Sequence, residues 1–100
     1  MNNSFFDDEA DRYIITADLD SKTRQETKLW DRQTWDRFKV ETTGTTTRVV
    51  RAVVKDNLVY TVCTLRSHSR DAARLKHFAV VGLIQREGFK KLVKNKEDLL

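Results

Sequence analysis

The chain predicts an α+β domain: an antiparallel sheet of two hairpins with a short helix between them, one long helix packed on the sheet, and a basic C-terminal segment. Three observations carry that expectation. Runs of β-branched residues flank short polar turns twice, around residues 21–23 and around Asp56-Asn57. A helical stretch opens after Ser69 and closes at Gly88. Hydrophobic residues at 39% against 34% charged give the balance of a globular chain, and one hundred residues leave room for a single core. Residues 1–10 are expected to be a mobile acidic N-terminal arm, and 11–100 a single α+β domain.

Taken in order, Met1 to Glu9 is polar and acidic without a period, except for Phe5 and Phe6, which would either pack on the domain or anchor a partner. The first hairpin is RYIITADLD, SKT, RQETKLW. Pairing Leu19 with Thr23 gathers Tyr13, Ile15, Ala17, Leu19, Thr27 and Leu29 on one face, the segregation a half-buried sheet requires. Neither Gly nor Asn sits in that loop to ease a tight turn. From Asp31 to Glu41 the reading is a short helix, with Asp31 as N-cap and Trp35 and Phe38 on one side; a third strand is the alternative. The threonine run around Gly44 ends that element.

The second hairpin joins TRVVRAVVK to LVYTVCTLR. A two-residue Asp56-Asn57 turn pairs Val54 with Val59, Val50 with Cys63 and Arg48 with Leu65 on the core face. It puts Arg51, Val53, Lys55, Tyr60 and Arg66 on the other. Ser69 is the expected N-cap of the long helix, with Asp71 in its first turn and Gly88 at its C-terminal stop. Ala72, Leu75, Ala79, Gly82 and Leu83 are read as its buried stripe, with Arg70, Arg74 and His77 opposite. Val80, Val81 and Ile84 make its second half apolar all round, which in so small a domain points to a homodimer. The last segment is a strand or amphipathic helix through Phe89, Leu92 and Val93, with Lys90, Lys91, Lys94 and Lys96 outward.

Charge narrows the function. In residues 1–20 six acids against Arg12 alone leave −5, whereas residues 21–100 hold eighteen Lys and Arg against nine acids, or +9. A body so basic attracts polyanions without regard to sequence. The expected function is a small non-enzymatic nucleic-acid-binding or regulatory protein that grips phosphates with a basic sheet face and a helix stripe. Single-stranded DNA or RNA is the favoured partner. The residues assigned to it are Arg51, Lys55, Tyr60, Arg66, Arg70 and Arg74, because cations hold phosphates while an aromatic on an open sheet stacks a base. Arg32, Arg37 and Lys39 around Trp35 form a second patch, set against the expectation that Trp35 and Phe38 are core. The order of elements is similar to that of single-stranded nucleic-acid binders built as a four-stranded sheet with one helix, a likeness of architecture.

The alternative is a small inhibitor or adaptor that binds a protein through Phe5, Phe6 or the Val80, Val81 and Ile84 surface, since apolar patches anchor interfaces. A third reading is a metal-independent ribonuclease, with His68 and His77 as acid and base beside Arg66, Arg70 and Arg74. No cofactor or metal site is expected. The glycines at 44, 82 and 88 are isolated, so no phosphate loop exists, and Cys63 on an apolar face reads as a small hydrophobe. No apolar run reaches the roughly 18 residues of a membrane span. Acids occupy the first twelve residues where a secretory signal needs basic then apolar ones, so a cytoplasmic protein is expected.

Overall fold

Five antiparallel strands follow one another in sequence and in space in the computed structural model, which describes residues 12–92. They are β1 (Tyr13–Asp20), β2 (Arg24–Asp31), β3 (Arg37–Thr43), β4 (Thr46–Val53) and β5 (Leu58–Arg66), and the single long helix α1 (Arg70–Glu87) covers one face of the sheet. The fold is α+β, as the sequence predicts, but the element between the hairpins is a strand and the sheet is a continuous meander. Arg37-Phe38-Lys39-Val40-Glu41 alternates polar and apolar residues, and Phe38 and Val40 are buried under α1. That two-residue period prevails over the helical spacing of Trp35 and Phe38. The expected acidic arm of residues 1–10 and the end of the chain, with Val93, Lys94 and Lys96, lie outside the described residues.

Turn chemistry sets each register. Between β3 and β4 only Gly44 of the two turn residues has a positive φ, 61°, as a type II′ turn with glycine first requires. The β1–β2 connection is closed by Ser21, whose Oγ donates to the Arg24 carbonyl and accepts from the Arg24 amide. Asp20 therefore pairs with Gln25, not Leu19 with Thr23, and a bulge at Thr16 shifts the ladder again. The expected face breaks at that bulge, leaving Leu19 opposite Glu26 and turning Asp18 toward Thr27 under the helix. The β4–β5 turn spans residues 54–57, with Asn57 left-handed at φ 51° and its amide bonded to the Val54 carbonyl. Val53 thus pairs with Leu58, and with a second bulge Val49 and Thr47 enter the core beside Cys63 and Leu65. Val54 and Val59, expected inside, are exposed. The run RVVRAVV is apolar at both parities, so alternation alone cannot choose its inner face.

Helix α1 has the caps the sequence predicts. Ser69 Oγ accepts from the Ala72 amide at 3.0 Å, and the Gly88 amide bonds the Ile84 carbonyl. Gly88 sits at φ 88°, and a Cβ there would approach Tyr13 Oη to 3.3 Å, so both backbone and space call for glycine. The helix is turned from its expected setting: Ala73, His77, Val80, Val81, Leu83 and Ile84 face inward, while Leu75 and Phe78 are exposed. Val80, Val81 and Ile84 thus belong to the chain's own core and offer no surface to a partner. A short helical turn over 90–92 follows, and Phe89 and Leu92 close the end of the core.

His77 is the polar hub of this packing, 1% exposed. Its Nε2 lies 2.8 Å from Thr27 Oγ1 and its Nδ1 2.8 Å from Thr42 Oγ1, which is 2.8 Å from Thr47 Oγ1. Thr27 donates its own hydrogen to Asp18 at 2.8 Å, so its oxygen accepts from Nε2–H. Nδ1 of the neutral ring then accepts from Thr42, whose oxygen accepts from Thr47. Burial pushes the imidazole below its ordinary 6.5, against the opposing pull of Asp18 and Asp20. The unfolded chain therefore takes up the proton first as pH falls, and stability drops from about pH 6.5 downward, by up to about 1.4 kcal/mol per pH unit, until the native ring titrates. Urea melts at several pH values are expected to show that slope, and His77→Gln to flatten it.

Candidate nucleic-acid interface

The face of the sheet turned away from α1 carries Lys28 and Trp30 from β2, Arg37 and Lys39 from β3, and Val50 and Ala52 from β4. With the Trp35 turn folded over one end, these line a trough of about 490 Å³. The turn is built by Asp31, whose carboxylate accepts from the Gln33 amide, the Thr34 hydroxyl and, in a bidentate pair at 2.9 Å, Arg12. Burial alone would raise this carboxyl, but those bonds outweigh it and hold it below its ordinary value. Asp31 is thus the side-chain acceptor the sequence suggests, but for a turn rather than a helix. The Trp35 amide bonds the Asp31 carbonyl at 2.7 Å, and the Asp31 amide bonds the Asp36 carbonyl.

That closure places Trp35 in the left-handed region at φ 69°, a conformation a bulky residue adopts only at a cost. Its indole is 59% exposed and lies against Trp30, ring centres 4.9 Å apart and tilted 54°. Trp30 Nε1–H is buried with no acceptor among the described residues. On the trough floor Lys28 and Lys39 are direct cross-strand partners, and Arg37 is the partner of Trp30. Like charges directly opposite destabilise a ladder. None of the three makes an ion pair among the described residues, whereas Arg24 and Arg48, farther down the same face, flank Glu41 at 3.8 and 3.4 Å.

Most of the residues assigned from sequence lie elsewhere. Arg51 and Tyr60 do meet, as cross-strand partners with Nη1 3.0 Å from the phenol oxygen, but on the helix side of the sheet. There Arg51 is bound to buried Asp36 at 2.6 Å and lies over the Phe89 ring at 4.4 Å. Lys55 is exposed in the β4–β5 turn, and Arg66 pairs with Thr46 on the open face, so the four share no surface. Arg74 grips Asp20 at 3.0 Å and Arg70 donates to the Lys22 carbonyl, tying the start of α1 to the β1–β2 turn. The bonds of His77 to Thr27 and Thr42 take both its nitrogens, which removes it from the exposed stripe and from any pairing with exposed His68. Cys63 is buried in the core.

Of the second patch, Trp35, Arg37 and Lys39 line the trough, joined by Lys28 and Trp30, whereas Arg32 is exposed in the turn and is not among the lining residues. The signal for Lys28 was its place between Thr27 and Leu29 in a strand whose inner residues alternate. Among the described residues no group of three or more His, Cys, Asp or Glu is placed to hold a metal, and no helix is long and apolar enough to cross a membrane. No protein-family model matches the chain, and neither a curated protein nor a solved structure is significantly similar to it.

Proposed function

We propose that the chain is a small, non-enzymatic single-stranded nucleic-acid-binding protein whose ligand lies in the open-face trough. What carries this reading is the combination of an exposed indole held in a strained backbone conformation with three adjacent cations, Lys28, Arg37 and Lys39, that make no ion pair among the described residues. Bases stack on aromatic side chains without regard to sequence while Lys and Arg track the phosphates. A phosphate between Lys28 and Lys39 would also relieve their mutual repulsion. Duplexes fit less well, because their bases are already stacked and cannot reach Trp35.

The test is fluorescence anisotropy of labelled single-stranded DNA, single-stranded RNA and duplex DNA across a salt series. It is read beside the protein's own fluorescence, since both tryptophans of the chain line the trough. Single strands are expected to bind with a log–log salt slope of about −2, from roughly −0.7 for each of three phosphate contacts, and to quench the indoles. Lys28→Ala/Lys39→Ala should bring the slope to about −0.7 while leaving the fold at least as stable, as it removes a like-charge pair. Absence of binding to any of the three probes at low salt, or a slope the double variant does not change, would defeat the proposal.

A further inference from the structure

We propose that the outer face of α1 is the contact of a two-fold homodimer in which the helices of two copies cross antiparallel over Ala79 and Gly82. This stands independently of the trough, which lies on the other side of the sheet. Asp71, Leu75, Phe78, Gly82 and Arg86 recur at spacings of three and four residues, so they form one stripe, with Ala79 beside it. The stripe faces away from the sheet, and Leu75 is 72% and Phe78 55% exposed.

Single exposed apolar residues are ordinary; the self-complementarity of this stripe is not. An antiparallel two-fold pairing centred between residues 78 and 79 sets Phe78 against Ala79 of the partner subunit. It sets Leu75 against Gly82 of the partner subunit and Asp71 against Arg86 of the partner subunit, and symmetry makes each contact twice. Each bulky side chain meets a small one, so the helix axes can approach closely, and each charge meets its opposite. Neither Asp71 nor Arg86 makes an ion pair among the described residues.

Gly82 is the most telling member. Glycine weakens a helix interior, yet nothing in the packing of the described residues requires it here. Among the described residues, a Cβ at 82 would meet only the tip of the Arg86 side chain, at 3.0 Å. In the single chain that guanidinium lies over the glycine; swung onto Asp71 of the partner subunit, it uncovers the hollow that Leu75 of the partner subunit fills. Two docked helices make a small interface, so the dimer is expected to be weak, with a Kd of about 10–100 μM.

Sedimentation equilibrium of the full chain over about 1 μM to 1 mM tests this, because that range brackets the expected Kd. Leu75→Ser is expected to raise Kd at least about tenfold, as loss of a central anchor does, with no loss of thermal stability in the monomer. Asp71→Lys and Arg86→Glu should each raise Kd at least about threefold, and together restore it, because the swapped charges pair again. Circular dichroism of each variant reports the fold separately. Monomers throughout the range, or a dimer that Leu75→Ser and both charge reversals leave unchanged, would overturn the proposal.

Discussion

Arg51→Ala is expected to lower the free energy of unfolding by about 3 kcal/mol or more, and to do so without weakening single-strand binding by the protein that remains folded. Asp36 is 2% exposed, and Arg51 supplies it with two bonds to Oδ2, at 2.6 and 3.1 Å. Without the guanidinium the carboxylate keeps, among the described residues, only the Val54 amide, at 3.3 Å to Oδ1, and becomes a buried charge with almost no compensation. The same arginine also donates to the Tyr60 hydroxyl and lies over Phe89, so its loss loosens the joint between the start of β3, the β4–β5 hairpin and the end of the core. For a domain whose total stability is about 5–15 kcal/mol, that is a large share. Removing both partners with apolar replacements, Asp36→Leu/Arg51→Met, should recover most of it, since the penalty lies in leaving one charge alone. Urea denaturation of the two variants measures both effects. A stable Arg51→Ala protein that has lost its affinity for single strands would instead place Arg51 on the ligand.

The position of Arg51 on the helix side of the sheet rather than its open face shows which part of this fold the sequence holds openly. Where a single local feature decides, it is legible: Ser69 caps the helix, Gly88 ends it, and Asp56-Asn57 and Gly44 mark turns. Where a choice between two parities decides, it is not. Thr16 and Val62 are extra residues in their strands, and each bulge exchanges inner for outer faces along the rest of the strand. A bulge has no signature in RYIITADLD or LVYTVCTLR, whose neighbouring residues suit either face. The setting of the helix is hidden for a related reason. His77 looked polar and therefore outward, but its two nitrogens answer Thr27 and Thr42, residues of two strands that only the folded sheet brings within reach. The basic surface is visible as net charge, while which cations grip the protein itself and which make no ion pair among the described residues depends on long-range partners such as Asp20, Asp31 and Asp36.

Trp35→Gly separates stability from binding more sharply than any charge change. At φ 69° a tryptophan costs about 1–3 kcal/mol of backbone strain, which glycine does not incur. The side chain returns some of that through its contact with Trp30, worth about 0.5–1.5 kcal/mol for a tilted aromatic pair beyond the area it covers. The variant is therefore expected to match the parent in urea denaturation or to exceed it by up to about 1 kcal/mol. Stacking is lost entirely, and single-strand affinity should fall at least about tenfold, since one stacked base is worth about 1–3 kcal/mol. Trp35→Asn, which tolerates the left-handed region, should behave alike, and Trp35→Phe should keep most of the affinity along with the strain. A Trp35→Gly protein that loses stability and binds as before would reduce the indole to a cover for Trp30. The two measurements together decide whether the strain at this turn serves a ligand or only the sheet beneath it.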